Sequence, residues 1–287
     1  MTIAAVSYQK DIAPHEMVPW IRRRLGDNGL QADWRPPVGE GQITASAVLF
    51  LLTLRSPVDE KPAEPCLLLN KRSQQVLQPG DLCCPGGGIE PKDRFLSLVL
   101  RWPFSPLLKW PGWQQWKHAS SRSGRWLAVS LATALRESWE EMRLNPFKVA
   151  FLGPLPIQKL IMFRRKIYPL VGWVSQGQAL TPNWEVARIV HLPLRELLQE
   201  RYYARYRLRF DTIRGAKRSQ EDFPCFVHHG RNGQEILWGA TFRITMDFLK
   251  LVFGFEQPDI GGAPVIRRKL DEAYLKGSRA HPPKPSH

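Results

Sequence analysis

Three glutamates carry the chemistry this chain can be expected to do. Glu137, Glu140 and Glu141 lie in Ala-Thr-Ala-Leu-Arg-Glu-Ser-Trp-Glu-Glu-Met-Arg-Leu, residues 132–144, which reads as a helix. Spaced i, i+3 and i+4, they share one helical face. Three like charges crowded there disfavour the helix unless something positive sits among them. Hard divalent cations take carboxylate oxygens and share them with substrate phosphates. The blander alternative is a solvated acidic face. Upstream, residues 85–93 read Pro-Gly-Gly-Gly-Ile-Glu-Pro-Lys-Asp. Glycines here free the backbone to turn sharply and to approach a helix or a phosphate closely; the plain alternative is a tight strand-to-helix turn.

The elements that must position these residues alternate. Ala45–Leu54 and Pro65–Lys71 read as buried strands of a hairpin joined by the Pro- and acid-rich turn Ser56–Glu64. Residues 78–84 lead from the second strand into the glycine turn. Trp126–Met142 reads as one long helix starting from about Ser123. Lys148–Leu155, Arg165–Val174 and Ile189–Leu192 read as further strands, with 158–166 an apolar and basic loop near the substrate. Pro193–Glu200 reads as a helix with Pro at its start. Arg205–Asp211 and Asp222–His229 read as strands, His228–Gly233 as a hairpin turn, and Glu235–Thr241 as the entry to an amphipathic helix, Thr241–Phe253. His15–Leu25 reads as a short helix ending near Gly26 that packs on the domain. Periodicity supports an α/β protein and nothing narrower.

Composition bounds the rest. The 287 residues include 41 Lys+Arg against 26 Asp+Glu, a net charge of +15, with 11 Trp and 25 Pro. The charge favours polyanionic partners: a phosphorylated metabolite, nucleic acid or an anionic membrane surface. The four cysteines show neither zinc spacing nor a disulfide framework, so Cys66, Cys83, Cys84 and Cys225 are expected as free thiols. No secretory signal is evident and Ile43–Leu54 is too short to span a bilayer; the expected location is the cytoplasm. His191, His228 and His229 lack partners at metal-ligand spacing and read as core or turn residues.

Both halves of the chemistry resemble one pattern, the Nudix box: Gly, five residues, Glu, seven residues, Arg-Glu, an apolar residue, any residue, Glu-Glu, any residue, Gly. Gly87 through Asp93 resembles its front and Arg136-Glu137-Ser138-Trp139-Glu140-Glu141-Met142-Arg143-Leu144 its back, with 42 residues between Asp93 and Arg136 in place of seven. Asp93 replaces the first Glu, Ser138 takes the apolar place and Arg143 the closing Gly. That Gly position often ends a helix at positive φ; Asn145 could adopt that conformation instead, letting the helix run a turn further. Leu67-Leu68-Leu69-Asn70-Lys71-Arg72-Ser73, Cys84-Pro85-Gly86-Gly87, Asn183-x-Glu185-Val186, Pro193-Leu194-x-x-Leu197 and Ile236-Leu237-Trp238-Gly239-Ala240-Thr241 partly resemble the coenzyme A pyrophosphatase subfamily, in the same order.

The resemblance implies a Nudix-like α/β/α sandwich with a mixed sheet. It implies magnesium or manganese held by Glu137, Glu140 and Glu141, with Glu137 as a further ligand or the base, Arg136 bracing loop and helix against Asp93 or a helical Glu, and Glu185 an auxiliary ligand or base. Lys71, Arg72, Gly86 and Gly87 would face substrate phosphates. The implied reaction is hydrolysis of a nucleoside diphosphate-linked substrate, coenzyme A or acyl-CoA, to 3′,5′-ADP and (acyl-)phosphopantetheine. Alternatives are another Nudix substrate, such as ADP-ribose or a dinucleotide, and a catalytically weak binding module.

The expected organisation is an N-terminal extension (1–42), a hydrolase domain (43–255) with an insert at about 94–130, and a flexible basic tail (256–287). The insert carries Trp102, Trp110, Trp113, Trp116 and Trp126 among cations and no acid. A packed lid, a contact with a membrane surface or an acidic protein, and stacking on nucleic acid compete for it. The last has least support, so no nucleic-acid partner is expected.

Overall fold

The computed structural model describes residues 15–28, 34–37, 44–55, 63–100, 102, 105–114, 116, 121–160, 164–175, 177–210, 219–230, 232–270 and 274. Most of the expected turn at 56–64 and of the expected tail beyond 270 lies outside them.

Apolar runs with β-branched and aromatic residues build a large mixed sheet around β1 (Thr44–Arg55). β1 pairs antiparallel with β2 (Glu64–Arg72), Leu51 opposite Leu68, as the hairpin reading expects. On its other side it runs parallel to β7 (Arg165–Val174), Leu49 opposite Leu170. β3 (Leu82–Cys83) and β8 (Val186–Pro193) pair with β2, β4 (Gly86–Gly88) with β1, and β5 (Val149–Pro154) and β6 (Gln158–Leu160) with β7. Part of the expected 158–166 loop is therefore strand.

Alternation along β1 sends its side chains into two cores. Phe50 and Leu52 pack with α1 (Met17–Asn28) and α5 (Gly239–Phe253). Ala47, Leu49 and Leu51 pack with α3 (Ser121–Met142). With both faces covered, the α/β sandwich with a mixed sheet is the observed architecture. α1 begins two residues later than expected and continues through Gly26. It buries Met17, Ile21 and Leu25 in the first core, so this helix packs on the domain as expected.

The 94–130 segment contributes to the second core. α2 (Pro91–Val99) packs against α3, and Trp110, Trp113 and Trp116 are buried with Trp34, Phe151 and Tyr168. Trp110 meets Phe151 edge-on at 4.9 Å and Trp34 meets Trp116 at 5.9 Å, geometries that aromatic quadrupoles favour. Of the competing readings, the packed one describes these three tryptophans.

A second sheet, ordered β11-β10-β9-β12, combines β9 (Tyr203–Phe210), β10 (Ser219–Gly230), β11 (Gly233–Trp238) and β12 (Val265–Leu270). Three expectations change here. Glu235–Trp238 belongs to β11 instead of a helix entry, because it pairs with β10, whose residues His228 and His229 are strand although the expected hairpin turn spans His228–Gly233. The helix expected at Pro193–Glu200 is a single turn, α4 (Leu194–Leu197), with Pro193 immediately before it. The flexible-tail expectation fails over 265–270, where β12 runs parallel to β9, Arg267 opposite Arg207.

Candidate active site

The site forms where the glycine turn meets the end of α3. Gly86 has φ 148°, and a Cβ there would lie 2.3 Å from the Ala47 carbonyl oxygen. A Cβ on Gly87 would fall 2.4 Å from Glu137 Oε1. Both positions require glycine, one for conformation and one for the approach of a carboxylate to the turn.

Asp93 meets Arg136 across the 42 intervening residues. Arg136 Nε and Nη2 donate to the two Asp93 oxygens at 2.7 and 3.2 Å, a bidentate pair of the strong kind. Asp93 is fully buried. Its Oδ2 also accepts from the Glu90 amide and the Thr133 hydroxyl, each at 2.8 Å. Burial pushes the Asp93 carboxyl up, but those three donors together hold it below the usual carboxylate range. The short Asp in the Glu position of the pattern thus closes the first turn of α2 while gripping α3. Arg136 further contacts the Gly88 carbonyl at 3.3 Å, Glu137 at 3.0 Å and Glu140 at 3.1 Å.

The three helical acids divide. Glu137 lies against Gly87, and Glu141 Oε2 accepts from Asn70 Nδ2 at 2.8 Å and the Gly86 amide at 3.3 Å. Glu140 is 46% exposed at its side chain and turns to Arg136 and to Lys92, 3.6 Å away. Asn70, Arg72, Glu141 and Glu185 line a small cavity of about 70 Å³. Burial, then the negative charge of Glu137 and also that of Glu185, pushes Glu141 up to about 8; the Gly86 amide opposes this. Burial likewise raises Glu137, against the pull of Arg136.

These donors fit a divalent cation in type. Asn70 Oδ1 is buried with no hydrogen-bond partner, beside carboxylates whose mutual repulsion a cation relieves. Among the described residues no three acidic, Cys or His side chains converge into a ready-made metal cluster. The donors are present around the cavity without being drawn together.

Two departures from the motif acquire reasons. Ser138, in the apolar place, is fully buried and donates to the Ala134 carbonyl at 2.6 Å, which satisfies its hydroxyl. Arg143 itself takes the left-handed conformation, φ 58°, and α3 stops at Met142. The expected extra turn is therefore absent, and Asn145 instead caps the next short turn, accepting from the Phe147 amide. The Leu144 amide returns to the Ser138 carbonyl at 3.3 Å, which fixes the reversal.

Lys71 and Arg72 separate. Arg72 lines the small cavity, its Nε donating to the Leu77 carbonyl at 2.6 Å. Lys71 faces the other way, to the buried carboxylate of Glu235 at 2.9 Å, as consecutive strand residues do. The cysteines are free among the described residues, and burial pushes Cys83 up to about 12, so it stays protonated and a poor nucleophile.

Two contributions escape sequence reading. Asn70, a polar residue following three leucines on a buried strand, is the legible one. The other is remote: Arg268 donates to Asp81 at 3.0 Å and to the Pro79 carbonyl at 3.1 Å, Tyr274 donates to Asp81, and the Gln78 amide reaches the Tyr274 carbonyl at 2.9 Å. Residues after 264 thus hold the 72–81 loop that feeds β3 and the glycine turn.

No protein-family model matches the chain. It is 28% identical over 191 residues to a protein described as an uncharacterized Nudix hydrolase, NudL, of Photorhabdus laumondii subsp. laumondii, covering 66% of this chain and 77% of the relative. Among solved structures, the Nudix hydrolase RenU of M. smegmatis is similar at 13% identity and a TM-score of 0.34, over 54% of this chain and 73% of RenU. The NUDIX domain of Shewanella oneidensis NrtR, complexed with ADP ribose, is similar at 15% identity and a TM-score of 0.32, over 57% and 81%. Overlaps this partial carry no argument about activity. The resemblance read from the split motif is supported by the NudL relative, itself a Nudix hydrolase.

Proposed function

We propose that this chain is a Nudix-type hydrolase, dependent on magnesium or manganese, that cleaves a nucleoside diphosphate-linked substrate. The observation that carries the reading is the Asp93–Arg136 pair, which joins the two separated halves of the motif and leaves Glu137 and Glu141 against the glycine turn. Glu137 and Glu141, with Asn70 Oδ1 and Glu185 nearby, would hold the cation, which when bound neutralises diphosphate charge and favours deprotonation of water. Glu140 joins them if it leaves Lys92.

Hydrolysis adds a water oxygen to one phosphorus, breaks its bond to the bridging oxygen, and moves the water proton to a carboxylate. Glu137 and Glu185 are the two candidates for that base, since Glu141 Oε2 is already occupied by Asn70 and Gly86. Arg136 orients Glu137 from the side, and Arg72 supplies positive charge at the cavity wall. Attack on phosphorus is then chiefly positioning and electrostatics.

Within this class we favour coenzyme A or its acyl derivatives, on the ordered segments at 67–73, 84–87, 183–186, 193–197 and 236–241 that resemble that subfamily. The test incubates the protein and its Glu141→Gln variant with Mg²⁺ and a panel of coenzyme A, ADP-ribose, NADH and dinucleoside polyphosphates. Metal-dependent release from coenzyme A, lost in the variant, is the expected result. Release from ADP-ribose alone overturns the coenzyme A reading, and release from none overturns the enzyme reading.

A further inference from the structure

We propose that the exposed face of α2, with Trp102 beyond it, forms a docking surface for an anionic phospholipid membrane. α2 is amphipathic in the reverse sense. Its buried positions, Asp93 and Ser97, are polar, while Phe95, Leu96, Leu98 and Val99 are exposed. Asp93 goes inward because Arg136 waits there, and Ser97 satisfies its hydroxyl on the Arg94 carbonyl at 2.7 Å. The apolar residues are left facing out, Phe95 at 74% exposure, and Trp102 follows at 71%.

Six of the ten exposed large hydrophobic residues among those described fall between 95 and 108, so this is a patch and not scatter.

Charge names the occupant. Beside the apolar face, Arg94, Arg122 and Arg125 line a groove of about 390 Å³ with Leu98 and Trp126 and no carboxylate. From Arg94 to Arg136 the sequence contains no acidic residue. A second copy pairing through the same face would oppose like charges. An apolar helical face carrying Phe and Trp with arginines at its flank is instead the arrangement of helices that lie in a membrane interface. No helix among the described residues is long and apolar enough to cross a bilayer, so the association is peripheral, with arginines meeting lipid phosphates and the aromatic rings entering the headgroup layer.

Flotation of the full chain with vesicles of phosphatidylcholine, with and without phosphatidylglycerol, tests this. Binding to the anionic vesicles that weakens as salt rises is expected. The double variants Phe95→Glu/Trp102→Glu and Arg122→Glu/Arg125→Glu should each lower bound protein on the order of tenfold, with unchanged circular dichroism and thermal midpoint. Failure to bind anionic vesicles at low salt overturns the proposal, as does binding that both variants retain. A concentration-dependent dimer in sedimentation velocity that Phe95→Glu/Trp102→Glu abolishes assigns the face to a second copy and equally overturns it.

Discussion

The two helices joined by Asp93 and Arg136 bury opposite kinds of residue. α3 follows the common rule: Leu127, Leu131, Ala134 and Leu135 enter the core while its acids gather on the opposite side, around the glycine turn. α2 inverts it, hiding Asp93 and Ser97 and showing Phe95 and Leu98. One ion pair explains both. Arg136, only 8% exposed at its side chain, needs a buried partner, and supplying Asp93 from the first turn of α2 rotates that helix's apolar face outward. The difference teaches that the direction a short helix faces can be set by a single polar contact.

The comparison can be broken from the reactive end first. Glu141→Gln should lower kcat on the order of 10³-fold with the fold intact, whereas Glu140→Gln should cost far less, because Glu140 is half exposed and engaged by Arg136 and Lys92. Steady-state kinetics with whichever substrate of the panel is cleaved read both; equal losses would show that Glu140 and Glu141 act alike. Next comes the pair itself. Asp93→Ala leaves Arg136 to Glu137 and Glu140 and should destabilise by about 3 kcal/mol, measured by denaturant unfolding, while Asp93→Asn, which still accepts from Thr133 and Glu90, should cost less.

Acid lability sharpens the contrast between this pair and the sheet. Burial, with Arg55 nearby, holds His191 on β8 down at about 4 from 6.5. The unfolded chain therefore takes up a proton that the folded one refuses, and stability falls as pH drops from 6.5 towards 4, by about 3 kcal/mol. His191→Gln should flatten stability over that window. Asp93, held below its ordinary value, acts lower: its contribution is present above the unfolded carboxylate pKa and disappears as pH falls through the folded one. Asp93→Asn should leave the His191 window unchanged. The smallest effect belongs to the end of α3. Arg143→Gly removes a left-handed non-glycine residue and should stabilise by about 1 kcal/mol, seen as a thermal midpoint a few degrees higher.

Much of this site is legible in the order of residues. Glu137, Glu140 and Glu141 fall on one face because helical geometry is local, and Gly86 and Gly87 mark a turn because no other residue meets its steric demand. The hairpin of β1 and β2 follows from two apolar runs separated by a turn. What escaped reading depended on distant partners. Lys71 and Arg72 look equivalent until pleating sends one to Glu235 and the other to the Glu141 cavity. Residues 265–270 look like a basic tail until β9 offers an unpaired edge.

The sequence by itself determined the acidic face, the glycine turn and the alternation of strands and helices, since each rests on interactions within a few residues. Tertiary structure alone decided that Asp93 meets Arg136 across 42 residues, that Glu141 stands beside Asn70 while Glu140 turns to Lys92, and that Arg268 and Tyr274 secure the loop before the glycines. Those outcomes rest on buried charges finding partners. The cost of leaving such a charge unpaired is fixed by burial, and burial is a property of the whole chain.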